Sequence, residues 1–182
     1  MGTQLHKAGL PITSSFDVIN LTNPDQVYAV HKAYIDAGAE LIETNTFGAN
    51  HFKLSEHGYG DKVAEVCRAA VDIAQRAIAD SGREDVYLAG SVGPLGPKMR
   101  PFGSISKEDA REAFAEQIRA LAEAGVDAIL LETFADHHEL MEALGAARTV
   151  APTLPLIAHA TFAGDDRTLS GFTPARVAYD LY

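Results

Sequence analysis

Glu132 follows four apolar residues, Ala128 to Leu131, in the stretch AGVDAILLETF that runs from Ala124 to Phe134. A carboxylate behind such a run is costly unless it is paired or faces a polar cavity. It therefore reads as a site residue, with an ion pair at a sheet edge as the competing reading. A second copy of the stretch, AGAELIETNTF, spans Ala37 to Phe47 and carries Asn45 where the other carries Glu132. The copies share Ala-Gly, an acid at the fourth position, Ile at the sixth and Thr-Phe at the end. Thr44, Asn45 and Thr46 are candidate pocket donors; alternatively, they bond to local backbone as turn residues do. Glu43 can face either side of its strand and is assigned no role.

Other reactive side chains read as structural. His137 and His138 are adjacent, whereas ligand pairs on a helix favour one face, so they read as solvated residues in a capped first turn. His159 reads as a core or lumen residue within a strand. His51 and His57 sit in a polar loop without a carboxylate or cysteine at telling spacing. Cys67 lies on the apolar stripe of a helix and reads as an inert core thiol. The loop from Gly93 to Gly103 fits a lid, a donor surface or a rigid connection, and its glycines form no phosphate cradle.

The elements that hold these residues alternate helix and strand. Residues 1–22 lack periodicity and read as loop. Asn23 and Gln26 are set to cap a helix with Pro24 in its first position; that helix stops at Gly38, and strand ELIETN follows. A helix from about Asp61 to Ser81 ends at Gly82 and leads to strand VYLAGSV. Ser106 with Asp109 caps a helix that ends at Gly125, ahead of strand AILLET. Asp136 with Glu139 caps a helix to about Val150, ahead of strand LIAHATF, and Thr173-Pro174 opens a last helix. Gly38 and Gly125 supply left-handed helix ends, and the short apolar runs after them predict strands buried on both faces. Asn45 and Glu132 are 87 positions apart, or 43–44 residues per unit. Eight such units would need roughly 340 residues, within the range of a (β/α)8 barrel.

The chain has 182 residues and a formal charge of -10, which argues against a nucleic-acid surface. One cysteine excludes an internal disulfide and fits a reducing, cytoplasmic setting. No apolar run approaches a membrane span, and the N-terminus lacks a signal-peptide core.

MGTQL, Asn23-Pro24, AGAELIETNTFGAN, the Gly-Pro loop and AGVDAILLETFAD together resemble the homocysteine S-methyltransferase family, in order and over the whole chain. That family includes the homocysteine-binding module of cobalamin-dependent methionine synthase and the betaine-homocysteine methyltransferases. The resemblance implies an α/β fold, a partial (β/α)8 TIM barrel holding about strands 2–5, with residues 1–182 as one incomplete domain. It implies methyl transfer to the zinc-activated thiol of homocysteine to give methionine. The donor would be methylcobalamin recharged by methyltetrahydrofolate, S-methylmethionine or betaine. Glu132 matches the glutamate that receives the substrate ammonium group, and Thr44, Asn45 and Thr46 match the tip lining the amino-acid pocket. Gly2 and Thr3 match the first loop, whose amides approach the carboxylate. The family's Asp-Gly pair before Met1 is absent, as are its Gly-x-Asn-Cys and Gly-Gly-Cys-Cys zinc motifs, and Cys67 matches neither. The expectation is a truncated piece with no zinc and no turnover. The alternative is a non-catalytic half-barrel that associates through open sheet edges. A doubly wound nucleotide-binding domain is disfavoured by the missing phosphate loop.

Overall fold

The computed structural model describes residues 1–11 and 13–182. Four strands form one parallel sheet in the order β1 (Leu41–Glu43), β2 (Tyr87–Val92), β3 (Ala128–Phe134), β4 (Leu156–Ala160). Around it run α1 (Gly2–Lys7), α2 (Ile19–Thr22), α3 (Pro24–Asp36), α4 (His51–Ser55), α5 (Val63–Ala79), α6 (Lys107–Ala124), α7 (His137–Val150) and α8 (Pro174–Leu181). No described helix is long and apolar enough to cross a membrane.

The register sorts the side chains. Leu41 lies opposite Tyr87, Ser91 opposite Leu130, and Leu130 opposite Ile157. Because side chains alternate along a strand, one face carries Ile42, Leu88, Val92, Ile129 and Leu131, which pack in the core with Val71, Phe114, Ile118, Leu121 and Leu140 from the helices. The opposite, inner face carries Leu41, Glu43, Tyr87, Ser91, Leu130, Glu132, Ile157 and His159. Burial on both faces holds for β2 and β3 and fails for β1 and β4, which alternate. The inner face is open beside these outer strands, leaving Leu41 45% and Tyr87 59% exposed.

Local signals explain most helix ends. Ser106 and Asp109 form a reciprocal capping box on α6, and Gly125 ends it with φ 95°. Gly38, with φ 99°, closes the turn after α3. Thr173 caps α8 through the Arg176 amide.

Four expectations are corrected. The first 22 residues are not all loop, since they hold α1 and α2; residue 12 of that stretch lies outside the described residues. Each helix is too short to display a stripe. Leu5 and Ile19 instead join Val27 and Ile73 in a separate small core. The polar segment after Phe47 likewise contains α4, capped by Asn50, whose side chain accepts from the Lys53 amide. Asn23 caps nothing with its side chain. Asp136 does cap α7 through the His138 amide, but Glu139 is drawn away to accept from the Leu95 amide at 2.8 Å.

Candidate functional site

A one-residue irregularity in β3 creates the site. The register shifts between Leu131 and Phe134, and Thr133 takes φ 64°, which β-branched residues rarely adopt. The extra residue resets the alternation. Glu132 keeps the inner face, while Phe134 turns outward and packs against Phe114 with ring centroids 5.8 Å apart. Ser91, the inner residue of β2 nearest the strand end, donates its hydroxyl to Glu132 Oε1 at 2.5 Å.

Glu132 shares a cleft of about 240 Å³ with Met1, Gly2, Asp17, Glu43 and the tip Thr44–Phe47. Five residues singled out in the sequence, Gly2, Thr44, Asn45, Thr46 and Glu132, therefore line one concavity at the carboxyl ends of the strands. Thr3 does not line it; its side chain is exposed on α1, and its amide, like that of Gly2, lies in a first helical turn without an intrahelical acceptor.

The tip is held by its own polar groups. The Thr44 and Thr46 hydroxyls bond to each other at 2.6 Å. Thr44 Oγ1 accepts from the Ser91 amide, and Thr46 Oγ1 donates to the Ser91 carbonyl. Asn45 Nδ2 donates to the Phe16 carbonyl at 2.6 Å and to Asn20 Oδ1 at 3.1 Å. Gln117 of α6 donates to the Thr46 carbonyl. These groups fix the cleft wall as turn chemistry does.

Three polar side chains of the cleft carry no role in the sequence reading. Ser91 and Glu43 were recoverable from alternation once Ile42 and Leu88 are placed on the helix side. Asp17 has no local signal. Its carboxylate accepts from the Gly48 amide at 2.8 Å, and a Cβ on Gly48 would stand 2.7 Å from its oxygen. Burial raises its pKa from 3.8 to about 6, against the opposing pull of the Gly48 amide and Lys53.

That shift has a definite sign. Between pH 3.8 and about 6 the folded chain holds a proton that the unfolded chain has released, so this group's contribution falls as pH rises through that window. Asp17→Asn keeps an acceptor for Gly48 and loses the titration. In denaturant titrations across pH, the variant is expected to lack this part of the decline and to equal or exceed the parent above about pH 6. A variant less stable there would show that the ionised carboxylate is stabilising, through Lys53.

The histidines lie elsewhere. His137 is buried, not solvated: its Nε2 pairs with Asp180 at 2.9 Å and its ring lies 4.4 Å from that of Phe172. The segment leading to α8 folds back over the start of α7 and covers it, while His138 stays exposed. His159 is exposed on the inner face. His51 Nδ1 bonds to the Gly60 carbonyl. Cys67 is fully buried in α5, and burial pushes its thiol well above the usual range.

The homocysteine S-methyltransferase family model matches residues 1–181. Methionine synthase of Mycobacterium tuberculosis (strain ATCC 25618 / H37Rv) is 34% identical over 173 residues, covering 88% of this chain and 14% of that protein. Methionine synthase of Mycobacterium leprae (strain TN) is 33% identical with the same coverage. The chain thus spans 14% of the length of these curated relatives. The metallated form of the homocysteine methyltransferase MmuM from Escherichia coli superposes on all of this chain and 67% of its own, with TM-score 0.83 and 25% identity. The oxidized form gives 0.82 at 24% identity. The fold is that of part of such a barrel.

Proposed function

The chain belongs to the homocysteine S-methyltransferase family, and we propose that its cleft binds homocysteine for methyl transfer to the thiol, giving methionine. The observation that carries this reading is Glu132, on the inner face at the β3 bulge and sharing one cleft with the Thr44–Thr46 tip. The Glu132 carboxylate takes the substrate ammonium group, and the Ser91 hydroxyl fixes its orientation. The amide of Gly2, which lines the cleft, serves the substrate carboxylate, and Thr3, outside the cleft, is given no part.

Zinc, which the resemblance implies, does not fit this chain's own donors. The single thiol is sealed inside α5, and among the described residues no group of three His, Cys, Asp or Glu is placed to hold a metal. These residues therefore supply binding and orientation, and no thiol activation is assigned to them. Calorimetry with L-homocysteine, with zinc analysis and a methionine assay on the same sample, tests the reading. Binding without stoichiometric zinc or product is expected. Absence of binding would overturn the assignment of the cleft, and zinc with turnover would overturn the restriction to binding.

A second reading rests on the exposed Leu41 and Tyr87 beside the outer strand β1. An open edge and exposed apolar side chains beside it favour association with another chain. Sedimentation of the same sample at several concentrations separates a monomer from a self-associating module.

A further inference from the structure

A second cavity, of about 400 Å³, lies against the cleft, and Phe16, Asp17 and Phe47 line both. Its fixed cation is Lys53 of α4, whose ammonium sits 4.7 Å from the centre of the Phe47 ring. Glycines make room for this pair. A Cβ on Gly48 would stand 3.1 Å from Lys53 Cδ, one on Gly96 3.2 Å from Lys53 Cε, and one on Gly93 2.3 Å from the Phe47 ring. The lysine stem is thus packed in place, whereas lysines on open surface trail their charge into water.

That charge lacks a counter-ion. Lys53 is half-buried, yet the ion pairs among the described residues all belong to other cations. Three acids face the ammonium without pairing with it. Asp17 spends Oδ1 on the Gly48 amide, and its pKa is raised to about 6. Glu139 of α7 spends Oε1 on the Leu95 amide, and burial raises its pKa too. Glu56 is exposed, where water and salt screen its charge, and so is the neighbouring His57. Ser14 and Ser15 line the same cavity, and among the described residues their hydroxyls bond to no other protein group. A cation partly withdrawn from water and left unpaired is costly, and an anion supplied by a ligand offsets that cost.

We propose that this cavity is a second ligand subsite, which takes the oxyanion group of a small acid, carboxylate or phosphate, against the Lys53 ammonium, with the Ser14 and Ser15 hydroxyls as further donors. The subsite stands whether or not the cleft holds homocysteine. Its occupant borders the cleft across the shared wall of Phe16, Asp17 and Phe47.

The test is amide NMR of the whole chain near pH 6, where Asp17 is still partly protonated. The chain is titrated with sodium phosphate and with sodium succinate, against sodium chloride at matched ionic strength. Saturable shifts of the Ser14, Ser15, Gly48 and Gly96 amides are expected with at least one of the two acids and not with chloride. Tighter binding of phosphate assigns the subsite to phosphate compounds, and tighter binding of succinate assigns it to carboxylic acids. Lys53→Met keeps the apolar stem and removes the charge. It is expected to weaken that binding at least roughly tenfold with an unchanged melting transition. The double variant Ser14→Ala with Ser15→Ala is expected to lose roughly three- to tenfold, and it keeps the inference testable if Lys53→Met fails to fold. No saturable shift with either acid, equal shifts with chloride, a folded Lys53→Met chain that binds as the parent does, or an unaffected double variant would overturn the inference.

Discussion

Glu132→Gln is expected to weaken L-homocysteine binding by roughly 10- to 150-fold while leaving the fold intact. The estimate follows from the about 1.5–3 kcal/mol that a hydrogen bond to a charged group contributes, converted at about 1.4 kcal/mol per tenfold. Glutamine is near-isosteric and keeps an oxygen for the Ser91 hydroxyl, which donates at 2.5 Å in the parent. The loss therefore reports the missing charge and not a collapsed wall. Glu132 sits half-buried between a fully buried Leu131 and the exposed Thr133, so its replacement empties no core volume. Isothermal titration against parent and variant is the check. Equal affinities would show that Glu132 serves the sheet edge and not the ligand.

The largest stability effect is expected at Phe134. Only 1% of its surface is exposed, and it meets Phe114, itself fully buried, across the β3–α6 interface. Phe→Ala in such a position typically costs about 3–5 kcal/mol, the transfer term plus the cavity left behind. Domains of this size commonly have only about 5–15 kcal/mol in total. Phe134 is also the residue that the bulge turns outward, and its carbonyl accepts from the Thr161 amide at 2.7 Å. Its loss removes the anchor beside Thr133, whose left-handed backbone follows Glu132 directly. Phe134→Ala is thus expected to lower the denaturation midpoint sharply and to weaken ligand binding even where folded. Phe134→Leu should retain most of both. A small change for alanine would mean that Phe114 and its neighbours close the gap unaided.

The helix–strand alternation was legible because its signals are local. Glycine ends at Gly38 and Gly125, the Ser106–Asp109 box and the Thr173-Pro174 start are each written within four residues, and all four act as read. The site was legible in outline, since the repeated stretch places Asn45 and Glu132 at strand ends and both line the cleft. What escaped depends on distant partners. α1 is helical because Leu5 meets a small core built from residues 19, 27 and 73. His137 is buried because Asp180, 43 positions later, reaches back to it. Asn45 faces the cleft yet spends both amide hydrogens on Phe16 and Asn20. Glu43 was set aside because two-fold alternation cannot name the inner face until a neighbouring strand is placed beside it.

A crystal structure of the chain soaked with L-homocysteine puts the central assignment to the most direct measurement. The ligand nitrogen is expected within hydrogen-bonding distance of the Glu132 carboxylate, with the ligand carboxylate toward the start of α1. A nitrogen placed elsewhere, with Glu132 still bonded only to Ser91, would contradict it.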